Sequence, residues 1–436
     1  MKLHHFTYLK RVALAELDFA FMVRVQTLPR VFIEWRQGRE LRRAVSSAYE
    51  RFSVYRDLWR ERGVRPEDIR SLDDIRNLPI SSKRMFKQHP SEALLGDPPP
   101  HPNLYAWKKT SGSTGEPFRF PVRARSRGHA LTRERAFYEY RFLLWRGEPL
   151  RSVIQRLKSA RIDEEPVPHE FSLTREELRR DPTGACRALR KFGTDVLRGT
   201  PTSLFELAEY AARLPEELRP SPRYIVSAGE RLTPSLRAFI SGILEGEVYD
   251  TYGLGEVGDL GVECRAHEGL HVYEESILAE IVDEEGRALP PGTAGRVIVT
   301  RFDDHRTLPF IRYDTGDRGT ILAAACSCGL RTRRLVIDGR SGGFIALGSN
   351  RFHAVEFEFA MDHFHTNIVR YQLAKQGPEQ VELRVIPARG FSPVIAEDIR
   401  KSFQEKFGIA PRITVVHSLP ATPAGKTPTV IDETEQ

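Results

Sequence analysis

The sequence predicts an α/β protein: a large N-terminal part built on a mixed sheet, followed by a small α+β C-terminal domain. Three observations carry this. Between about residues 104 and 300, short runs rich in β-branched and aromatic residues alternate with helical segments. After the glycine-rich stretch 339–343 the texture changes to that of a unit of about 95 residues. The length, 436 residues, calls for two or three domains at roughly 100–200 residues each, with a sizeable core.

The first 90 or so residues read as helical. From Arg39 to Arg62 charges alternate with Leu41, Ala44, Tyr49, Phe52, Tyr55 and Leu58 at close to the 3.6-residue period. Ser71-Leu72-Asp73-Asp74 has the short polar side chains of a helix start. Asp97-Pro98-Pro99-Pro100 ends this helical leader, at about residue 95. Beyond it, 104–108 and 118–122 read as extended and flank a loop. Residues 224–227, 248–251, 278–282 and 295–300 read as strands, and 204–213 and 233–244 as helices. In the tail, 344–347, 380–387 and 412–417 read as strands and 354–363 and 393–407 as helices. Glycine leaves the backbone free to swivel, so 339–343 is the natural boundary: domain one is 1–339 and domain two 340–436.

Composition narrows the function. No apolar run approaches the roughly 20 residues that span a bilayer. The opening MKLHHFTYLKRVALAELDFAFMV carries charges within its apolar stretch and lacks a small-residue cleavage site, so it does not read as a secretory signal. Four cysteines in the whole chain exclude a disulfide scaffold and suit a reducing compartment, the cytoplasm. The net charge of +7 fits a mildly basic surface or a polyanionic ligand such as nucleotide phosphates. No RNA-recognition aromatic motif, helix-turn-helix pattern or basic block accompanies it, so nucleic acid is not the expected partner.

The most informative segment is Thr110-Ser111-Gly112-Ser113-Thr114-Gly115-Glu116-Pro117. Its glycines let backbone N–H groups turn toward an anion and its hydroxyls add donors, which suits a phosphate. It is not the ordinary P-loop, because no Lys follows the second glycine and its flanks are strands. Lys108 and Lys109 just before it could supply positive charge. Composition alone leaves a solvated hairpin loop equally open. A second cluster is Cys264 with Cys326-Ser327-Cys328-Gly329, to which His267 or His271 would add an imidazole. Such a donor set suits a tetrahedral Cys₃His zinc site. Cys186 has no partner in sequence and reads as core.

Taken in order, these motifs resemble the AMP-forming adenylating enzymes, the superfamily of acyl-CoA synthetases, peptide-synthetase adenylation domains and luciferases. Thr110–Pro117 resembles their phosphate-binding loop and Ser227-Ala228-Gly229-Glu230-Arg231-Leu232 their nucleotide-binding segment. Tyr252-Gly253-Leu254-Gly255-Glu256 resembles Y-G-x-[ST]-E, and Tyr313-Asp314-Thr315-Gly316-Asp317 resembles Y-x-T-G-D. Gly339-Arg340 resembles the arginine before the hinge, and Pro423-Ala424-Gly425-Lys426 the C-terminal lysine motif. The likeness runs from about residue 50 to 431. Within the superfamily the leader residues Tyr55-Arg56-Asp57, Gly63-Val64, Leu72-Asp73-Asp74 and Leu78-Pro79 resemble the phenylacetate–CoA ligase branch, which includes capsule-biosynthesis relatives.

The resemblance implies an adenylating N-terminal domain with a mobile C-terminal lid. It implies an ATP-dependent ligase that joins a carboxylate to the α-phosphate of ATP and passes the acyl group to a thiol, coenzyme A by default. An amine, a hydroxyl, a carrier-protein thiol or a silent nucleotide-binding role are the alternatives. It implies Thr110, Ser111, Gly112, Ser113, Thr114, Gly115, Ala228, Gly229, Glu230, Asp250, Thr251, Tyr252, Gly253, Asp317 and Arg340 as the ATP- and AMP-binding residues. Glu256 is the candidate Mg²⁺ ligand, since a hard carboxylate shares Mg²⁺ with phosphate oxygens. Tyr252 would pack against adenine, and Asp317 would accept from both ribose hydroxyls. Lys426 would bridge substrate carboxylate and α-phosphate as charge develops. Among the two histidines the resemblance selects His271 as the fourth zinc ligand.

Two departures stand out: Gly342 and Gly343 replace the usual acidic hinge pair, and Gly255 stands where many relatives have Ser or Thr. The acyl pocket is expected from about 137–145, 199–204 and 224–230, and the aromatic run Phe137, Tyr138, Tyr140, Phe142 and Trp145 suits an aryl or small acyl acid. The expected state is monomer or homodimer.

Overall fold

The computed structural model describes residues 24–109, 118–123, 158–163, 171–302, 308–340, 344–420 and 429–435. Backbone contacts divide the chain into two compact units. One holds the leader, 117–156 and Thr251–Asp338; the other holds 111–116, Leu157–Asp250 and Gly339–Gln436. The chain passes from the first to the second after Asp338, within the strand Arg334–Arg340.

In the first unit the leader forms two helices, Arg30–Arg51 and Ser53–Glu61, where the periodicity predicts one. Phe52 separates them with an extended backbone, φ −120° and ψ 111°, and its ring is fully buried. The break puts Tyr55 and Trp59 into the core as well. Ser71–Asp74 opens only a 3₁₀ turn, Asp73–Asn77, because Asp74 folds back to accept from Ser71 N–H and Oγ and from Arg70 N–H. Tyr105–Lys109 and Arg119–Arg123 pair antiparallel, Lys109 opposite Arg119, on either side of the 110–117 segment.

The remaining strands of this unit are antiparallel. Ile277–Val282 pairs with Gly295–Arg301, which pairs with Tyr313–Ile321. Arg334–Arg340 pairs with Leu270–Val272, which pairs with Gly258–Glu263. An aromatic cluster underlies them: the Phe86 ring lies 5.9 Å from Tyr55, 5.7 Å from Phe310 and 6.0 Å from Tyr313. Tyr55 Oη donates to the Pro309 carbonyl at 2.6 Å and accepts from Ile311 N–H at 3.0 Å. The leader thus fixes the start of the strand that carries Tyr313 and Asp317.

The second unit begins with parallel strands in the order Phe171–Thr174, Ser159–Asp163, Val196–Gly199, Tyr224–Ala228. Val196–Gly199 and Tyr224–Ala228, inside the sheet, are buried along nearly their whole length, whereas Ser159–Asp163 alternates and Phe171–Thr174 at the edge is only half-buried. Helices Pro182–Phe192, Pro201–Ala211 and Pro234–Leu244 cover them through Leu189, Leu204, Leu207 and Ile240. Each of these helices starts on a cap residue followed by proline: Asp181, Thr200 and Thr233 accept from the N–H of Gly184, Ser203 and Leu236. Proline lacks the N–H that would otherwise go unpaired there, and its φ suits the first turn. That signal moves the start of the 204–213 helix back to Pro201.

The tail follows the predicted alternation and adds three strands. Asn350–His353 pairs with Phe344–Leu347, while Ile368–Lys375 and Val430–Asp432 enter a four-stranded sheet with Val381–Pro387 and Arg412–Val415. Phe352, Phe357, Phe403 and Phe407 stack between that sheet and helices Ala354–Met361 and Pro393–Phe407. Among the described residues no helix is long and apolar enough to cross a membrane.

Candidate functional site

The Tyr313–Asp317 motif lies inside the strand Tyr313–Ile321, not in a turn. Opposite it, pairing jumps from Arg296↔Arg318 to Ile298↔Asp314, so the motif strand bulges. Gly316 takes φ +72°, which favours glycine, and its N–H bonds the Asp314 carboxylate at 2.9 Å. Thr315 Oγ1 donates to the Val297 carbonyl at 2.8 Å and accepts from Asp317 N–H at 3.0 Å. The bulge therefore re-aims Asp317 while leaving its backbone satisfied.

Two side-chain bonds then link the motifs crosswise. Tyr252 Oη donates to Asp317 Oδ2 at 2.6 Å, and Tyr313 Oη donates to Glu256 Oε1 at 2.8 Å. The tyrosine of each motif orients the carboxylate of the other. Asp317 and Tyr313 are buried, and Glu256 and Tyr252 half-buried. Glu256 sits two residues before Gly258, whose φ of +89° turns the chain from Glu247–Leu254 into Gly258–Glu263. Arg301 Nη1 donates to the Val257 carbonyl and braces that turn.

In the second unit, Ala228 ends the strand Tyr224–Ala228 and Gly229 leaves it at φ +85°. Glu230 accepts from the N–H of Thr202 at 3.2 Å and from its hydroxyl, fixing the segment on the start of helix Pro201–Ala211. Asp250, Thr251 and Gly253 lie on the strand Glu247–Leu254, and Arg340 ends Arg334–Arg340 with its carbonyl accepting from His353 Nε2 at 2.6 Å. Thr110, Ser111, Gly112, Ser113, Thr114, Gly115, Gly342, Gly343, Lys426 and the aromatic run 137–145 lie outside the described residues. The residues on either side of 421–428 are held side by side: Gln372 Nε2 donates to the Pro420 carbonyl at 3.2 Å, and Leu373 N–H donates to the Thr429 carbonyl at 2.8 Å.

Cys264, His271, Cys326 and Cys328 converge so that their ligand atoms all lie within 4.8 Å of one another. Cys264 Sγ is 3.5 Å from Cys326 Sγ, and Cys328 Sγ is 3.3 Å from His271 Nε2. Cys264 follows the strand Gly258–Glu263, His271 is central in Leu270–Val272, and the C-x-C turn precedes Arg334–Arg340. His271 Nδ1 bonds Thr332 Oγ1 at 2.9 Å, fixing the ring so that Nε2 faces the sulfurs. Ala266 N–H and Leu330 N–H point at Cys264 Sγ and Cys328 Sγ, both at 3.4 Å. His267 instead meets Glu263 at 3.1 Å and stays outside the cluster.

Burial pushes the Cys264 thiol up to about 12 and raises Cys328. Cys326 lies below the ordinary thiol value because hydrogen bonds from Cys328 and Cys264 outweigh its burial. Burial, aided by Arg334, takes His271 down to about 4, so the imidazole is neutral, as a metal ligand must be. Burial likewise takes the lone Cys186 up to about 11, as for a core thiol.

Thr202, Thr332 and the hydroxyls of Tyr252 and Tyr313 are positioning groups whose partners the sequence did not reveal. The tyrosines carried a signal, since both stand in quoted motifs; the threonines carried none.

No family model matches the chain. It is 26% identical over 400 residues to the phenylacetate-coenzyme A ligase of Thermus thermophilus, covering 86% of each chain. It is 25% identical over 361 residues to that of Escherichia coli, covering 77% of this chain and 78% of the other. In fold it is similar to 2-hydroxyisobutyryl-CoA ligase in the postadenylation state, with a TM-score of 0.77 at 19% identity over 94% of this chain and 92% of that one. It is also similar to an anthranilate CoA ligase in complex with anthranoyl-AMP, with a TM-score of 0.53 at 16% identity over 81% and 74%.

Proposed function

We propose, for a chain that has the fold of the adenylate-forming ligases and resembles the phenylacetate-coenzyme A ligases in sequence, that it is an ATP-dependent, AMP-forming carboxylate ligase. It activates an aryl or small acyl acid as the acyl-adenylate and transfers it to coenzyme A. The observation that carries the reading is the crosswise pairing of Tyr252 with Asp317 and Tyr313 with Glu256. It holds the two carboxylates of separate motifs in fixed orientations, which is how preorganised charge lowers a barrier.

In the first half-reaction a carboxylate oxygen of the acid attacks the α-phosphorus of ATP and pyrophosphate leaves. In the second the thiol sulfur attacks the acyl carbon, AMP leaves and the thiol proton is lost to solvent. Thr110, Ser111, Gly112, Ser113, Thr114 and Gly115 receive the phosphates. Ala228, Gly229, Glu230, Asp250, Thr251 and Gly253 receive the nucleotide, and Asp317, oriented by Tyr252, accepts from ribose. Arg340 adds a planar donor for ribose or phosphate, and Lys426 bridges the carboxylate and α-phosphate as charge develops.

Glu256, oriented by Tyr313, would hold Mg²⁺, which screens the phosphates as pyrophosphate departs. Cys264, His271, Cys326 and Cys328 would hold one Zn²⁺. Their four ligand atoms lie within 4.8 Å of one another, close enough for one ion to be reached by all of them. Four protein ligands leave no open position, so the zinc is structural. The domains are 1–339 and a mobile 340–436 that brings the lysine. Four free cysteines, three of them gathered around His271 and one alone in the core, suit the cytoplasm, and the protein acts as a monomer or homodimer.

The test is acid-dependent ATP–pyrophosphate exchange with a panel of phenylacetate, benzoate, anthranilate and short-chain acids, followed by thioester formation with coenzyme A. Exchange with an aromatic or small acyl acid is expected. Absence of exchange with every acid overturns the reading, and exchange without thioester transfers the acyl group to another acceptor.

A further inference from the structure

Within the second unit, the nucleotide-binding segment 227–232 meets the tail through one set of contacts. Arg231 Nη1 lies 3.3 Å from Glu358 Oε2 on helix Ala354–Met361, and its guanidinium stacks 4.1 Å above the Phe359 ring. The other oxygen of the same carboxylate, Glu358 Oε1, accepts from Thr429 Oγ1 at 2.9 Å. Thr429 stands three residues after Lys426, and its carbonyl is already held by Leu373. One carboxylate thus ties the nucleotide-binding segment to the residue that ends the lysine-bearing stretch.

The surroundings reinforce the link. Tyr371, half-buried on Ile368–Lys375, is held well above the ordinary phenol value by desolvation and by Glu358. Burial holds its neighbour Arg370 below the ordinary guanidinium value despite the attraction of Glu230. Arg231 and Glu358 are 27% and 22% exposed, which keeps water within reach and makes the pair breakable. An acidic residue that only stabilised the tail would need neither the arginine from 227–232 nor the threonine beside the lysine.

We propose that Glu358 is a positioning residue: through Arg231 and Thr429 it latches the end of the stretch that carries Lys426 to the nucleotide-binding segment, and so serves adenylation more than thiol transfer. This rests on the ligase reading above. Its groups touch neither substrate nor reacting atoms; they act through the position of Lys426.

The experiment uses the full chain with Glu358→Ala and Glu358→Gln. Hydrogen exchange read by mass spectrometry on the chain alone needs no substrate. Glu358→Ala is expected to speed exchange at 429–432 while 381–387 stays protected. With phenylacetate as probe, ATP–pyrophosphate exchange is expected to fall about tenfold, as for a reacting group slightly misplaced. Thioester formation from supplied phenylacetyl-adenylate and coenzyme A should change less than about twofold. Glu358→Gln keeps an acceptor for Thr429 but loses the charge for Arg231, and is expected between the two. Unchanged protection at 429–432, or equal loss in both half-reactions, overturns the latch. A wild-type chain silent with every acid overturns the ligase reading instead, and leaves the exchange result to judge the contact by itself.

Discussion

The Cys264–His271–Cys326–Cys328 cluster and the Arg231–Glu358–Thr429 link both fasten loops to strands, and they do so in opposite ways. The first gathers four donors, from a strand end, a strand centre and a turn, within 4.8 Å of one another, with Thr332 holding the histidine from behind. The second is a half-exposed ion pair shared with one hydroxyl. A structural zinc site contributes about 10 kcal/mol or more of binding energy, while exposed pairs contribute about 0–1 kcal/mol. A fold that has to hold one region still and let another move uses the strong clip for the first and the weak one for the second.

The largest effect should come from breaking the strong clip. Cys328→Ser is expected to abolish stoichiometric zinc, measured by metal analysis of protein purified without chelator at about one per chain in the wild type. It should lower the melting temperature by about 5 °C or more. A metal-free wild type whose melting is indifferent to chelator would make the two fasteners alike. Next, Lys426→Ala sharpens the contrast from the moving side. Exchange should drop about 100- to 1,000-fold, the cost of about 2.7–4 kcal/mol for one lost donor to a developing charge. If the lysine serves the chemistry and not the fold, the melting temperature stays within about 1 °C. A mutant with normal exchange would remove this lysine from the chemistry.

The smallest effect concerns a third fastening, Glu206 on helix Pro201–Ala211, which meets Arg175 at 2.8 Å and Arg179 at 2.7 Å. Burial alone would raise its carboxyl, but the hydrogen bonds from Arg179 and Arg175 outweigh that and hold it below the ordinary glutamate value. A folded value below the unfolded one contributes stability that is complete above about pH 4.5 and is lost as pH falls further. Denaturant melts between pH 3 and 6 should therefore show a steeper acid-side decline for wild type than for Glu206→Gln. Identical slopes would assign the decline to other carboxylates.

Helices Pro234–Leu244 and Pro393–Phe407 were legible within a residue of their ends, and Thr233-Pro234 and Ser392-Pro393 mark their starts, whereas Arg175–Arg180 and Pro182–Phe192 went unread. Of the parallel strands only Tyr224–Ala228 was legible; Ser159–Asp163 and Phe171–Thr174 mix polar and apolar residues, and Val196–Gly199 is only four residues long with an arginine inside it. The break at Phe52 was not legible, because the cap before Ser53–Glu61 uses no polar side chain, and a phenylalanine in a helical period reads as one more core position. Ile368–Lys375 hid for the opposite reason: it buries Gln372, whose amide serves Pro420 and Arg384, so polar and apolar residues do not alternate cleanly. At the site, the motif residues stood out by type and order. That Asp317 sits on a bulge could be foreseen from Gly316 alone, but its bond to Tyr252 spans 65 residues and has no local signature. Glu358 and Thr429 were equally silent, since their partners lie 127 and 71 residues away.

The neighbouring residues Gln372 and Leu373 grip the chain at Pro420 and again at Thr429. The entropy of bringing those ends together is thereby already spent by the strand, and further length adds to it only logarithmically, about 0.6 kcal/mol per doubling. Residues inserted or removed between 421 and 428 should consequently leave the melting of the tail almost untouched while changing how far the lysine reaches.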